Sequence, residues 1–204
     1  MDQLGAELAR RGIRLVFCET AAAARDTVLG LIPPGATVMT GTSLTLDQLG
    51  ITERLREGRY RYLRDEVRAT DDPEARFDKR RLALTADYFL GGINALAATG
   101  EIVNVDSSGS RIAGYAYAGR RVIMVAGLNK VVPTLADALE RIRVVAAVQE
   151  ARRVGRRPPC LDDGLCHNYD CYPPERQCGK ILIIEKEQVP GRTTVVLVGE
   201  SLGY

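Results

Sequence analysis

The stretch Asp87-Tyr88-Phe89-Leu90-Gly91-Gly92-Ile93-Asn94-Ala95 runs an apolar strand, centred on 86–90, directly into two glycines and an asparagine. A short, unbroken apolar run is the pattern of a strand covered on both faces, as in parallel sheets flanked by helices. Glycines at its end permit tight backbone geometry, and Asn94 follows as a fixed amide that both donates and accepts. Similar runs stand at 14–19, 36–40, 121–126, 181–184 and 194–198, with helical stretches interleaved over the first two thirds of the chain. This alternation predicts an α/β fold.

The helices are legible outward from there. Leu4 and Leu8 mark a short amphipathic helix closed by Gly12, and 21–31 reads as a second helix stopped by Pro33-Pro34-Gly35. The longest runs over 134–153. Thr134 and Asp137 form its capping box, Leu135, Leu139, Ile142, Val145 and Ala146 its apolar stripe, and Gly155 its end. The last two strands, on either side of Pro190-Gly191, are expected to form an antiparallel hairpin. With 204 residues and no repeat or low-complexity linker, the chain is expected to be one domain over 1–204, with a cysteine-rich loop at 156–180.

Composition excludes several classes. Hydrophobic residues make up 46% and charged residues 26%, far from a disordered chain. A net charge of +2 gives no nucleic-acid footprint, and Arg152, Arg153, Arg156 and Arg157 are expected to be a solvated helix end. No run of 18 apolar residues could span a membrane, and the first residues lack the layout of a signal peptide, so a cytoplasmic location is expected. In that reducing compartment the five cysteines are not read as a disulfide framework. Cys18, inside an apolar run, is expected to be buried and inert.

Three polar strand ends are candidates for one ligand pocket, because ligands of open α/β sheets gather beyond the carboxyl ends of the strands. At the first, Gly41 would let a ligand approach the backbone and the Thr42 and Ser43 hydroxyls would bind a carboxylate or phosphate, with Thr45 and Gln48 placed as a capping box; alternatively these residues only cap a helix. At the second, Asn94 is followed by Asn104, Asp106 and Arg111. Asn104 and Asp106 share a strand face, so the group forms either a polar cluster or a turn held by an Asp–Arg pair. The third is Gly127-Leu128-Asn129-Lys130. The residues expected to bind ligand are Gly41, Thr42, Ser43, Thr45, Asn94, Asn104, Asp106, Arg111, Asn129 and Lys130.

Cys160, Cys166, Cys171 and Cys178 fall in one proline- and glycine-rich segment spaced C-x5-C-x4-C-x6-C. Four thiolates on one metal would order such a loop; free thiols and a redox pair are the alternatives. The spacing has no C-x2-C knuckle, which weakens a zinc-ribbon assignment. His167, the sole histidine, reads as a loop residue.

Taken in order, Gly41-Thr42-Ser43-Leu44-Thr45, Leu49-Gly50, Asp87 to Ala95, Gly100-Glu101-Ile102-Val103-Asn104-Val105-Asp106, Gly109-Ser110-Arg111, Val125-Ala126-Gly127-Leu128-Asn129-Lys130, Ala138-Leu139-Glu140-Arg141-Ile142-Arg143 and Gly199-Glu200-Ser201-Leu202-Gly203-Tyr204 resemble the LUD domain, named for lactate utilisation. The resemblance covers nearly the whole chain. It implies a three-layer α/β/α fold with a mixed, Rossmann-like sheet, related to sugar-phosphate isomerases and coenzyme A transferases. It also implies a role in oxidising L-lactate to pyruvate beside iron–sulfur partner subunits, which favours an iron–sulfur cluster on the four cysteines over zinc or no metal. Relatives often carry Glu-Asp before the glycine where this chain has Ala98-Thr99-Gly100. The coenzyme A transferases use a glutamate nucleophile in a comparable loop, and alanine cannot replace it. Relatives also commonly have C-x2-C in the middle of the cysteine segment, which His167-Asn168-Tyr169-Asp170 lengthens here. Three roles remain open: a subunit or accessory protein of lactate oxidation that binds a small carboxylate or phosphate, an enzyme of the isomerase/transferase superfamily, and a non-catalytic binding module.

Overall fold

The computed structural model describes residues 1–204. Ten strands divide between two sheets. The main sheet is parallel throughout, in the order β1 (Arg14–Cys18), β10 (Thr193–Val198), β7 (Arg121–Gly127), β4 (Tyr88–Gly92), β2 (Thr37–Thr40), β3 (Arg61–Tyr62). The second is mixed, in the order β8 (Val131–Val132), β5 (Ala95–Ala97), β6 (Ile102–Asp106), β9 (Lys180–Ile184).

The α/β expectation holds, but the C-terminal hairpin does not form. Lys180–Ile184 pairs antiparallel with β6 in the second sheet, while Thr193–Val198 inserts between β1 and β7 in the main one. The physical reason lies in the burial of β10. All six of its residues are buried, so it must be covered on both faces, which a central parallel strand achieves and the edge of a hairpin does not.

The layers follow from the alternation of side chains along the strands. Helices α2 (Ala21–Gly30), α3 (Leu44–Gln48) and α4 (Ile51–Leu55) cover one face of the main sheet, packing Val28, Leu46 and Ile51 against Val38, Leu90, Val125 and Val196. On the other face, Phe89, Met124 and Leu197 meet α1 (Asp2–Arg10), α5 (Leu63–Arg68), α6 (Pro73–Ala83) and one side of the second sheet through Leu96 and Ile102. Short helix α7 (Ser110–Ala113) runs into a π-helical turn that places buried Tyr115 edge-on against Phe89.

The opposite side of the second sheet, Val103 and Val105, packs on α8 (Leu135–Arg141) and α9 (Ala147–Val154). These occupy the expected 134–153 helix, with the Thr134–Asp137 capping box formed and Gly155 closing it in the left-handed conformation; a π-helical turn at Ile142–Ala146 separates them. α10 (Cys160–Asp163) opens the cysteine segment. No helix is long and apolar enough to cross a membrane.

Two connections decide where chemistry can occur. β4 leaves the main sheet at Gly92 and enters the second sheet at Ala95, and β7 does the same through one 3-10 turn, Leu128–Lys130, into β8. Asn94 and Lys130 therefore both stand on the seam between the sheets, at the carboxyl ends of adjacent parallel strands.

Candidate functional site

A cavity of about 450 Å³ opens over this seam. Gly41, Thr42, Ser43, Thr45, Asn94, Asp106, Arg111 and Lys130 all line it, as the strand ends imply. Asn104 and Asn129 do not. Asn104 is fully buried behind Asn94, with its Oδ1 accepting the Asn94 backbone N–H at 3.2 Å. Asn129 donates to the Gly203 carbonyl and accepts from the Leu202 N–H, so it holds the C-terminal segment.

Glycine has a different use here from the one expected. A Cβ on Gly41 would sit 2.6 Å from Cδ of Arg111, so the space above this residue belongs to the arginine stem and not to a ligand. Gly91 likewise clears Tyr115, whose hydroxyl donates to the Gly92 carbonyl at 3.0 Å. Burial pushes that phenol up to about 12, so it stays protonated.

The helix after Gly41 is capped by Ser43, whose hydroxyl accepts the Leu46 N–H, and not by the expected Thr45–Gln48 box. Having only five residues, α3 carries too small a dipole to be an anion site by itself. The positive charge comes from side chains. Arg64 donates to the Thr40 carbonyl at 2.7 Å and to Thr42 Oγ1 at 2.6 Å, with no carboxylate bound to it, and burial lowers its affinity for its proton. Because Thr42 and Ser43 act as acceptors in these bonds, their own O–H groups remain free to donate.

Arg111 is fixed by Asn94 Oδ1 at 2.8 Å and by the Gly92 and Val105 carbonyls, and its Nε lies 3.6 Å from Asp106. Asp106 itself accepts the backbone N–H groups of Gly109 (2.8 Å) and Arg111 (3.2 Å), so its carboxylate organises the turn after β6. Both readings of this cluster are thus realised in one arrangement. Glu150, the other carboxylate on the cavity, lies between Arg153 and the Tyr204 hydroxyl. Its burial is outweighed by these hydrogen bonds, which leave it below the usual carboxylate range, while burial and the Glu150 contact hold Tyr204 up at about 12.

Lys130 is buried, and its Nζ donates to Thr45 Oγ1 at 2.8 Å. Burial, with Arg141 and Arg111 nearby, brings it down to about 7. Arg141 ties the seam together by donating to the carbonyls of Asn94 (2.6 Å) and Asn129 (3.2 Å).

Arg64, Arg68, Arg80, Glu150 and Arg156 also line the cavity but carry no local motif that marks them, and Tyr204 joins them from the Gly199–Tyr204 stretch. Arg156 corrects the expectation of a wholly solvated arginine run, since it turns inward to Ser107 and the Arg176 carbonyl. Glu101, the nearest carboxylate to Ala98 in the chain, is paired with Arg11 at 2.7 Å and does not line the cavity.

The family LUD domain matches residues 1–198. The chain is a LUD-domain protein. A crystal structure of a DUF162 family protein from Deinococcus radiodurans is similar to this LUD domain with a TM-score of 0.56 over 97% of this chain and 94% of that one, at 15% identity. At that identity the likeness concerns the fold alone. No curated protein matches the LUD chain by sequence.

Away from the seam, Cys160, Cys166, Cys171 and Cys178 of the LUD domain line one small cavity of about 20 Å³ beside His167. All are free thiols, and no three Cys, His, Asp or Glu side chains are grouped as a metal-ligand set. Burial and the neighbouring cysteines push Cys160 up, and burial and Cys178 raise Cys171. Four sulfur donors on one cavity fit a soft metal in kind, though not in the geometry of a closed centre. The loop also has ties of its own. Arg176 cross-links it through the Asn168 and Cys171 carbonyls, both at 3.1 Å, and His167 pairs with Asp163 at 2.8 Å. Cys18 is buried, as expected.

Proposed function

We propose that this LUD domain binds a small carboxylate or phosphate in the seam cavity and serves cytoplasmic L-lactate oxidation to pyruvate as a subunit or accessory protein beside iron–sulfur partners. One observation carries the ligand class: six basic side chains line the cavity against two carboxylates, Asp106 and Glu150, and both of these are already engaged. Only Lys130 is fully buried, while Arg64, Arg111 and Arg156 are half-buried and Arg68 and Arg80 exposed, and a cleft lined mostly by one sign of charge concentrates the opposite one. Family membership supports the pathway. Coenzyme A transfer is disfavoured by Ala98 and by the distant pairing of Glu101.

Calorimetric titration with L-lactate, pyruvate and inorganic phosphate tests the reading. At least one should bind, less tightly as salt rises, and Arg64→Met should weaken it roughly tenfold, the value of one charge-assisted hydrogen bond. Failure of all three at low ionic strength would overturn the ligand class.

We also propose that the four-thiol cavity takes a soft metal or an iron–sulfur cluster. The observation favouring it is that all four cysteines line one cavity despite their irregular spacing. Bound metal would supply electron transfer or a structural clamp, held by Cys160, Cys166, Cys171 and Cys178.

A further inference from the structure

The anion reading leaves Lys130 unexplained. It is one of only four lysines in a chain with 24 arginines, and it is the one that faces the cavity from a buried position. If charge were all that mattered, arginine would serve better, since its guanidinium stays protonated and binds carboxylates through two parallel bonds. What lysine offers instead is a nucleophilic nitrogen. Such an amine is activated by an apolar or cationic setting, and both are present: Lys130 is 3% exposed and the charges acting on it, from Arg141 and Arg111, are positive.

The geometry adds a second argument. Thr45 Oγ1 holds Nζ at 2.8 Å, and Gly203 lies directly over the pair. A Cβ at Gly203 would stand 2.6 Å from Thr45 Oγ1 and 3.0 Å from Nζ, so the bare glycine is what keeps the space above the amine clear. Thr42, Ser43 and Arg64 line the same cavity and supply donors for a carboxylate.

We propose that Lys130 forms a reversible imine with a 2-oxo acid whose carboxylate occupies the Thr42–Arg64 side of the cavity. The proposal rests on the small-carboxylate reading above and narrows it to a carbonyl-bearing ligand. In the step, the uncharged Nζ attacks the 2-carbonyl carbon and a C–N bond forms. The nitrogen gives up two protons, the carbonyl oxygen leaves with them as water, and a C=N bond replaces C=O. No oxidant or further reactant enters.

The test uses the intact protein with pyruvate as probe, reduced by sodium cyanoborohydride at pH 8, followed by peptide mass analysis. Expected is one reduced pyruvate adduct on Lys130, absent from Lys130→Arg. Pyruvate that binds as lactate does but leaves no adduct on Lys130, or adducts confined to Lys79, Lys180 and Lys186, would overturn the imine while leaving the carboxylate pocket intact. If neither acid binds and no adduct forms, the small-carboxylate reading fails together with the imine.

Discussion

Asn104 Oδ1 accepts the backbone N–H of Asn94 at 3.2 Å, and Asn94 Oδ1 in turn accepts the N–H of Val105 at 3.0 Å, so the link between β4 and β5 is tied to β6 by an asparagine from each side. Asn94 Oδ1 also receives Arg111, which makes the buried amide of Asn104 a support for a cavity-lining arginine it never touches. Replacing Asn104 by alanine strands the Asn94 N–H in the interior, at a cost of about 1–3 kcal/mol. Thermal melting should show the loss, and anion affinity should fall with it. An unchanged melting temperature would mean that the seam is held without this pair.

Asp106 invites a different outcome. Its carboxylate is only 11% exposed and binds two backbone N–H groups of the turn that carries Arg111. Asp106→Ala is expected to cost about 2 kcal/mol, or roughly 4–8 °C in Tm for a chain of this size. Full stability with weakened anion binding would instead assign the carboxylate directly to the ligand.

Lys130 makes stability depend on pH. Its pKa stands at about 7 in the fold against 10.5 in a solvated chain, so between those values the unfolded state carries a proton that the folded state lacks. Stability from this group therefore rises as pH climbs through that window and is lowest below it, with a slope of up to about 1.4 kcal/mol per pH unit. Urea unfolding at pH 7, 8 and 9 should show the gain in the native protein and lose it in Lys130→Met. Parallel curves for the two would show that the amine stays charged in the fold.

For the thiol cavity, anaerobically prepared protein should contain iron or zinc, lost on replacing Cys171, the most buried of the four, by serine. Visible absorbance would mark a cluster, and zinc without colour would mark a closed structural site. Absence of both metals in the native protein would leave four free thiols. Because Arg176 already ties the loop, the serine variant should keep its fold.

The strands were legible because burial on both faces leaves unbroken apolar runs, and Thr193–Val198 carried that signature even though the nearby Pro190-Gly191 suggested a hairpin. A turn motif specifies only that the chain reverses locally; the burial of Val195, Val196, Leu197 and Val198 specifies the sheet. In the site, glycine and asparagine at strand ends marked the seam correctly. A strand-end pattern does not distinguish a cavity contact from an asparagine sunk beneath the seam, such as Asn104, or one engaged by the C-terminal segment, such as Asn129. Arg64 and Arg156 were invisible because nothing in one sequence separates an arginine turned into a cavity from others on solvated helix faces. The helix-turn reading of 41–48 found the right place but the wrong cap, because Ser43 and Thr45 both satisfy the local pattern and only the bond to Lys130 tells them apart.

The direct passage of β4 and β7 from one sheet into the other separates two kinds of residue by how readily they can change. Asn94, Lys130 and the glycines beside them belong to backbone that both sheets share, and altering them disturbs two packed layers at once. Arg64, Arg68, Arg80 and Arg156 reach the same space from α5, α6 and the segment after α9, whose side chains can be exchanged without moving a strand. A lineage built on this frame could acquire a new preference for its guest by reshuffling the helical arginines alone, while the amine at the seam stayed where it was.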